Sequence, residues 1–207
     1  MAGIPGYLRV DDPDSRDRFL KRALVVGGTL LVGGAAVGGL PRLASSAQSP
    51  EQDAEIFSFA LVLEQLQAAF YDESVAQATL PPKLLEFARV ASGHERQHVS
   101  YLEEALGMSA REAPETDFGE ATIDAEAFAA AAASLEDLAV AAYNGQAANL
   151  TAAGLQAAAT IVSVDARHAA WIRAIAGRLP ASQAVDAPLS RAEVEERLDK
   201  IGFIRGA

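Results

Sequence analysis

The chain contains three histidines, and two of them follow an acid by three residues: Glu95 with His98, and Asp165 with His168. Three residues turn an α-helix by about 300°, so each acid and its histidine share one face. Two further acids, Glu64 and Glu136, are each followed seven residues later by a tyrosine, Tyr71 and Tyr143. Seven residues make nearly two turns, so each tyrosine shares a face with its glutamate. Four carboxylates and two imidazoles, without sulfur, form a donor set suited to iron or manganese, with zinc also accommodated. The chain has no cysteine, which removes disulfides, thiolate zinc sites, iron–sulfur clusters and a cysteine nucleophile together.

These residues must be positioned by helices. Half of the residues are hydrophobic and only 6% are aromatic; alanine is abundant. The pattern predicts four long helices, from about Glu51 to Ala76, from Pro82 to Leu106 with Gly107 as its stop, from Asp124 to Gln146, and from Thr151 to Arg178. A short amphipathic helix follows Ser190. Each long helix carries an apolar stripe with alternating steps of four and three: Phe57, Leu61, Glu64, Ala68, Tyr71, Val75 in the first, and Leu84, Ala88, Ala91, Glu95, His98, Leu102, Ala105 in the second. The third reads Ala129, Ala133, Glu136, Val140, Tyr143, Ala147, and the fourth Gly154, Ala158, Ile161, Asp165, His168, Ile172. Such stripes are the seams of an all-α four-helix bundle, and each is interrupted in its middle by the residues that could do chemistry.

The chain also repeats itself. The segment from Leu63 to Tyr71 aligns with that from Leu135 to Tyr143, and each half supplies one carboxylate followed by a carboxylate and a histidine. Short connections predict that each half is an antiparallel hairpin. The connection between the halves, Gly107 to Ile123, has 17 residues. Fully extended it reaches about 55 Å, against about 30 Å for a 20-residue helix, so it can cross the whole bundle. Unpaired, four carboxylates in an apolar core would each cost several kcal/mol or take up protons. No lysine or arginine lies on the stripes to offset them. Two divalent cations would cancel the four charges, and neutral histidines would complete the coordination.

Glutamates from two helices, with Glu-any-any-His from the other two, resemble the dinuclear carboxylate pattern of the ferritin-like superfamily. The chain is similar in particular to the exported bacterial ferritin-like proteins that include the desiccation-related group. Residues 51–180 carry the resemblance, and the segments Asp165–Trp171 and Leu189–Val194 also look like that group. The resemblance implies that Glu64, Glu95, His98, Glu136, Asp165 and His168 are metal ligands, and that Glu95 and Asp165 bridge the two ions. Asp165 departs from the pattern, which has glutamate there; one methylene fewer puts a bridge, and with it oxygen chemistry, in question. Tyr71 and Tyr143 read as hydrogen-bond donors to the site or as packed core. His94 projects about 100° away from Glu95 around the helix and reads as a surface or interhelix residue. Trp171 reads as core.

Before the bundle, Arg16, Arg18, Lys21 and Arg22 precede an uncharged stretch from Ala23 to Leu40, followed by Ser45-Ser46-Ala47. This order predicts an export signal or membrane anchor over residues 1–47. The stretch Ser15–Lys21 resembles a twin-arginine signal, with Asp17 in place of the second arginine. The large C-terminal part is thus expected outside the cytoplasmic membrane, in the periplasm or cell envelope. Residues 181–207 form a tail with one short helix. The net charge of −11 argues against nucleic acid as a partner. Three classes of function remain: an oxidase, peroxidase or ferroxidase, a non-catalytic metal-binding or stress-protective bundle, and a bundle without metal. The sequence leaves homo-oligomerisation open.

Overall fold

A computed structural model describes residues 48–205; the export or anchor segment expected at residues 1–47 lies outside them. Five α-helices follow: α1 Pro50–Gln77, α2 Pro82–Leu106, α3 Ala125–Gln146, α4 Ala152–Ile175 and α5 Arg191–Ile201. Their ends follow from local chemistry. The side chains of Ser49, Asp124, Thr151 and Ser190 cap the first free N–H groups of α1, α3, α4 and α5. Pro82 opens α2, where its missing N–H costs nothing, and Gly107 closes it with φ of 55°, a conformation that strains other residues. At α5, Ser190 and Glu193 bond each other's backbone reciprocally. The fourth helix stops at Ile175, three residues short of the expected Arg178, where the chain turns toward Pro180.

The connections set the topology. The crossover leaves α2 through a 3₁₀ turn at Gly107–Ser109 and passes along α1, where the Gln65 amide donates to the Arg111 carbonyl at 3.0 Å. It reaches the far end of α1 at a second 3₁₀ turn, Gly119–Thr122. There Thr122 donates to Glu73 at 2.7 Å, and Thr79 donates to the Ile123 carbonyl at 3.1 Å. The crossover therefore runs the length of the bundle, and α3 starts at the end where α1 finishes. At the opposite end, Asp53 on α1 accepts from the Thr151 N–H at 2.9 Å and from its hydroxyl at 2.5 Å. Helix α1 is thus antiparallel to both α2 and α3, and α4 is antiparallel to both α3 and α2.

Two apolar clusters fill the interior. One gathers Phe70, Tyr71, Phe87, Phe118 and Phe128, with Phe70 stacked on Phe128 at 5.3 Å between ring centres. The other gathers Phe57, Leu61, Leu102, Leu106, Leu150 and Ile161. The sequence positions of Glu64, Glu95, Glu136 and Asp165 fall between them, so the polar layer is closed above and below by side chains that exclude water. The stripes hold in their middles and drift at their ends: Ala105 is exposed and Leu106 takes its place, while Phe128 rather than Ala129 is fully buried. An ideal helix drifts against a seven-residue repeat, so the mismatch accumulates toward the termini.

The C-terminal tail packs on the bundle. The Leu189 N–H donates to the Ala141 carbonyl at 3.0 Å, and Val194 and Leu198 bury against the aromatic cluster. The end of the chain meets the crossover through the Asp117 N–H to the Phe203 carbonyl, the Arg205 N–H to the Glu115 carbonyl, and an Arg205–Asp117 ion pair. Among the described residues no helix is long and apolar enough to cross a membrane.

Candidate metal centre

Each long helix brings its polar residues to the same depth. Glu64, Glu95, Glu136 and Asp165 have no solvent exposure, and His98 and His168 have 8% and 3%. All six side chains predicted from the stripes meet in one layer. They form two overlapping groups: Glu64, Glu95, His98 and Asp165 in one, and Glu95, Glu136, Asp165 and His168 in the other. In each group one donor atom per residue lies within 4.8 Å of all the others. Glu95 and Asp165 belong to both, so the shorter aspartate still reaches both sets of partners.

The two halves are related by an approximate twofold arrangement. His98 Nδ1 lies 3.2 Å from Glu64 and 3.0 Å from Glu95, and 3.5 Å from Asp165. His168 Nδ1 lies 3.0 Å from Glu95 and 3.4 Å from Glu136. The tyrosines exchange partners across the pair α1 and α3. Tyr71 donates to Glu136 at 2.5 Å, and Tyr143 donates to Glu64 at 2.8 Å. Because the helices are antiparallel, a tyrosine two turns past one glutamate reaches the glutamate of the facing helix.

The electrostatics of the set are those of acids crowded in a medium of low polarity. Burial, opposed by the His98 hydrogen bond and reinforced by the Glu95 charge, lifts Glu64 to about 8. Burial, opposed by the His168 hydrogen bond and reinforced by Glu95, lifts Glu136 to about 7. Burial and then the charges of Glu64, Glu95 and Glu136 push Asp165 well above the carboxylate range. Burial also works to raise Glu95, but hydrogen bonds with His168, His98 and Glu64 outweigh it and hold it at about 2. Burial works to lower both histidines; bonds to Glu64 and Glu95 nevertheless raise His98 to about 10, and bonds to Glu136 and Glu95 raise His168 to about 9. Without metal, then, protons hold the layer together.

Protons do not satisfy it completely. Buried Glu95 Oε1, Glu136 Oε2, both Asp165 oxygens and His168 Nδ1 make no well-directed hydrogen bond, even where His168 Nδ1 and Glu95 Oε1 approach to 3.0 Å. Buried polar atoms are almost always paired. Five unpaired donor atoms from four residues, facing one another in one layer, fit cations bound among them. Neutral imidazoles and ionised carboxylates are the ligand forms that hard or borderline divalent ions take.

The histidine side of the layer is also the side that opens. A cavity of about 390 Å³ lies between α2 and α4, with His94, His98, His168 and Trp171 in its wall. Trp171, expected in the core, is half-buried there and packs edge-on to Phe87 at 5.2 Å. His94 is an interhelix residue, as its position suggested, but it also reaches the site. Its Nδ1 lies 2.8 Å from His168 Nε2, with the two rings 13° from parallel. The contact was not readable from one helix, since it depends on how α4 is rotated against α2. Burial, then the charge of His168, lowers the pKa of His94, and which of the two rings donates depends on their tautomers.

No curated protein matches the chain. A family model described as "Ferritin-like domain" matches residues 52–178, a span that begins in the first turn of α1 and ends just past α4 and so takes in all six residues of the layer. The chain belongs to the ferritin-like domain family.

Proposed function

We propose that the chain binds two divalent metal ions, iron or manganese, in the bundle core. Glu64 and His98 would complete one position, Glu136 and His168 the other, and Glu95 and Asp165 would serve both. The observation that carries this reading is the overlap of the two ligand groups on the shared carboxylates of Glu95 and Asp165, of which Glu95 Oε1 and both Asp165 oxygens make no well-directed hydrogen bond. Zinc is served by the same donors. Bound iron or manganese would supply redox chemistry of the oxidase, peroxidase or ferroxidase kind. The chain's own residues prepare the place for it. Tyr71 and Tyr143 hold one oxygen of Glu136 and of Glu64, respectively, which fixes both carboxylates in the layer, and the other oxygen of Glu64 faces His98. The apolar clusters on either side lower the polarity around the layer, which strengthens the charge interactions within. The cavity between α2 and α4 offers a small molecule such as oxygen or peroxide a way to the histidines.

The second reading is a non-catalytic metal-binding or stress-protective bundle, favoured by Asp165, whose shorter side chain binds a shared ion less closely than glutamate would. Turnover separates the two. The full chain, loaded with Fe(II) without oxygen and then given air or peroxide, should consume many equivalents per chain if it is an enzyme. Consumption that stops at the bound metal supports the protective reading. The basic residues and uncharged stretch at 16–40 support a working place outside the cytoplasmic membrane.

A further inference from the structure

Besides the Glu95 and Asp165 pair, the twofold arrangement of the site breaks at a second pair of residues. His94 stands one position before Glu95; the corresponding position before Asp165 is Val164, and both line the same cavity. His168 Nε2 therefore meets an imidazole nitrogen at 2.8 Å, whereas the matching surroundings of His98 offer a hydrocarbon. For His168 to direct a lone pair from Nδ1 at a cation held beside Glu95 and Glu136, its proton must sit on Nε2. His94 Nδ1 is placed to accept that proton. A ligating histidine whose other nitrogen is hydrogen-bonded is held in one tautomer and one ring orientation, and it is the more basic ligand.

We propose that His94 is a positioning residue that makes the two metal positions unequal, with the His168 position the tighter of the two; this rests on the dinuclear reading above. The near-parallel rings, 13° apart, place the two nitrogens in line within the ring planes, as a hydrogen bond between imidazoles requires. His98, bound at Nδ1 to Glu64 and Glu95, has Val164 rather than an imidazole at the matching place and so lacks this second restraint. The tighter position thus fills first, and the looser one faces the incoming small molecule with an adjustable ligand.

Three variants of the full chain test this, with Mn(II) as the probe. In stepwise titration the wild type should show two unequal affinities. His94→Val should weaken the tighter step by about 10- to 100-fold and leave the other within about twofold. His94→Gln, whose amide oxygen can accept the same hydrogen bond, should recover most of the loss. Val164→His should supply His98 with the partner it lacks and tighten the weaker step. Nitrogen NMR of the metal-free protein gives a second reading: a protected Nε2–H of His168 present in the wild type and lost in His94→Val. Two tight steps unchanged in His94→Val, or an unprotected Nε2–H, would overturn the proposal while leaving the dinuclear reading intact. A wild type that binds no Mn(II) at any pH would sink both.

Discussion

Removing the metal should leave a protein whose stability falls steeply with rising pH. Glu64 and Glu136 hold their protons to about 8 and 7, against 4.5 in the unfolded chain. His98 and His168 hold theirs to about 10 and 9, against 6.5. A raised carboxylate stabilises the fold below its unfolded pKa and loses that contribution as the pH rises through its folded value. A raised histidine behaves in the same sense, and Asp165, pushed well above the carboxylate range, joins them, so all five groups act together. Glu95, held at about 2, acts oppositely: its contribution is present above 4.5 and is lost as the pH falls toward 2. The two glutamates and two histidines together keep roughly three protons at pH 7, and about one and a half at pH 9, that the unfolded chain has released, each worth about 1.4 kcal/mol per pH unit. With partial titration the loss is on the order of 5 kcal/mol, a large share of a typical total of about 5–15 kcal/mol. For a domain of this size that lowers Tm by on the order of 10 °C. Calorimetric melting of the chelator-treated full chain at pH 6, 7, 8 and 9 checks it. A metal-free Tm that is flat or rises across this range would refute the idea that protons take the place of cations in the layer. The metal-loaded protein should show the opposite trend, because binding displaces those protons and tightens as the pH rises.

Other substitutions probe the parts separately. Tyr143→Phe removes the 2.8 Å hydrogen bond to buried Glu64 and should cost about 1–3 kcal/mol in denaturant melts of the metal-free protein. Phe70→Ala opens the centre of the aromatic cluster and should cost about 3–5 kcal/mol by the same measurement. Gly145→Ala would drive a methyl group into the Leu189 carbonyl; limited proteolysis should then cut the tail sooner while α1 to α4 stay protected.

The middle of each helix was legible because seam periodicity and chemistry coincide there. Glu64, Glu95, His98, Glu136, Asp165 and His168 each occupy a seam position, and a buried seam four helices wide has one interior in which to place them. The crossover was legible from length alone, since 17 residues suffice to span the bundle. What depended on helix rotation was not. Tyr71 shares a face with Glu64 yet bonds Glu136, and only the antiparallel pairing of α1 with α3 decides that. The contact of His94 with His168 likewise depends on how α2 and α4 turn against each other. The short helix of the tail was legible, but its docking on the bundle was not, since the helix is polar with two buried positions, Val194 and Leu198. Its attachment rests on backbone bonds to Ala141, Glu115 and Asp117, which leave no mark in side-chain pattern.

The most direct test of the central claim is metal content. The full chain should be purified from cells grown with iron and manganese, beside Glu95→Ala, and the bound metal per chain measured by mass spectrometry. The shared carboxylate predicts about two ions per wild-type chain and loss of both in Glu95→Ala, with the helix content of the two proteins equal. A wild type that carries no metal after reconstitution, or a Glu95→Ala that keeps its full complement, would contradict it.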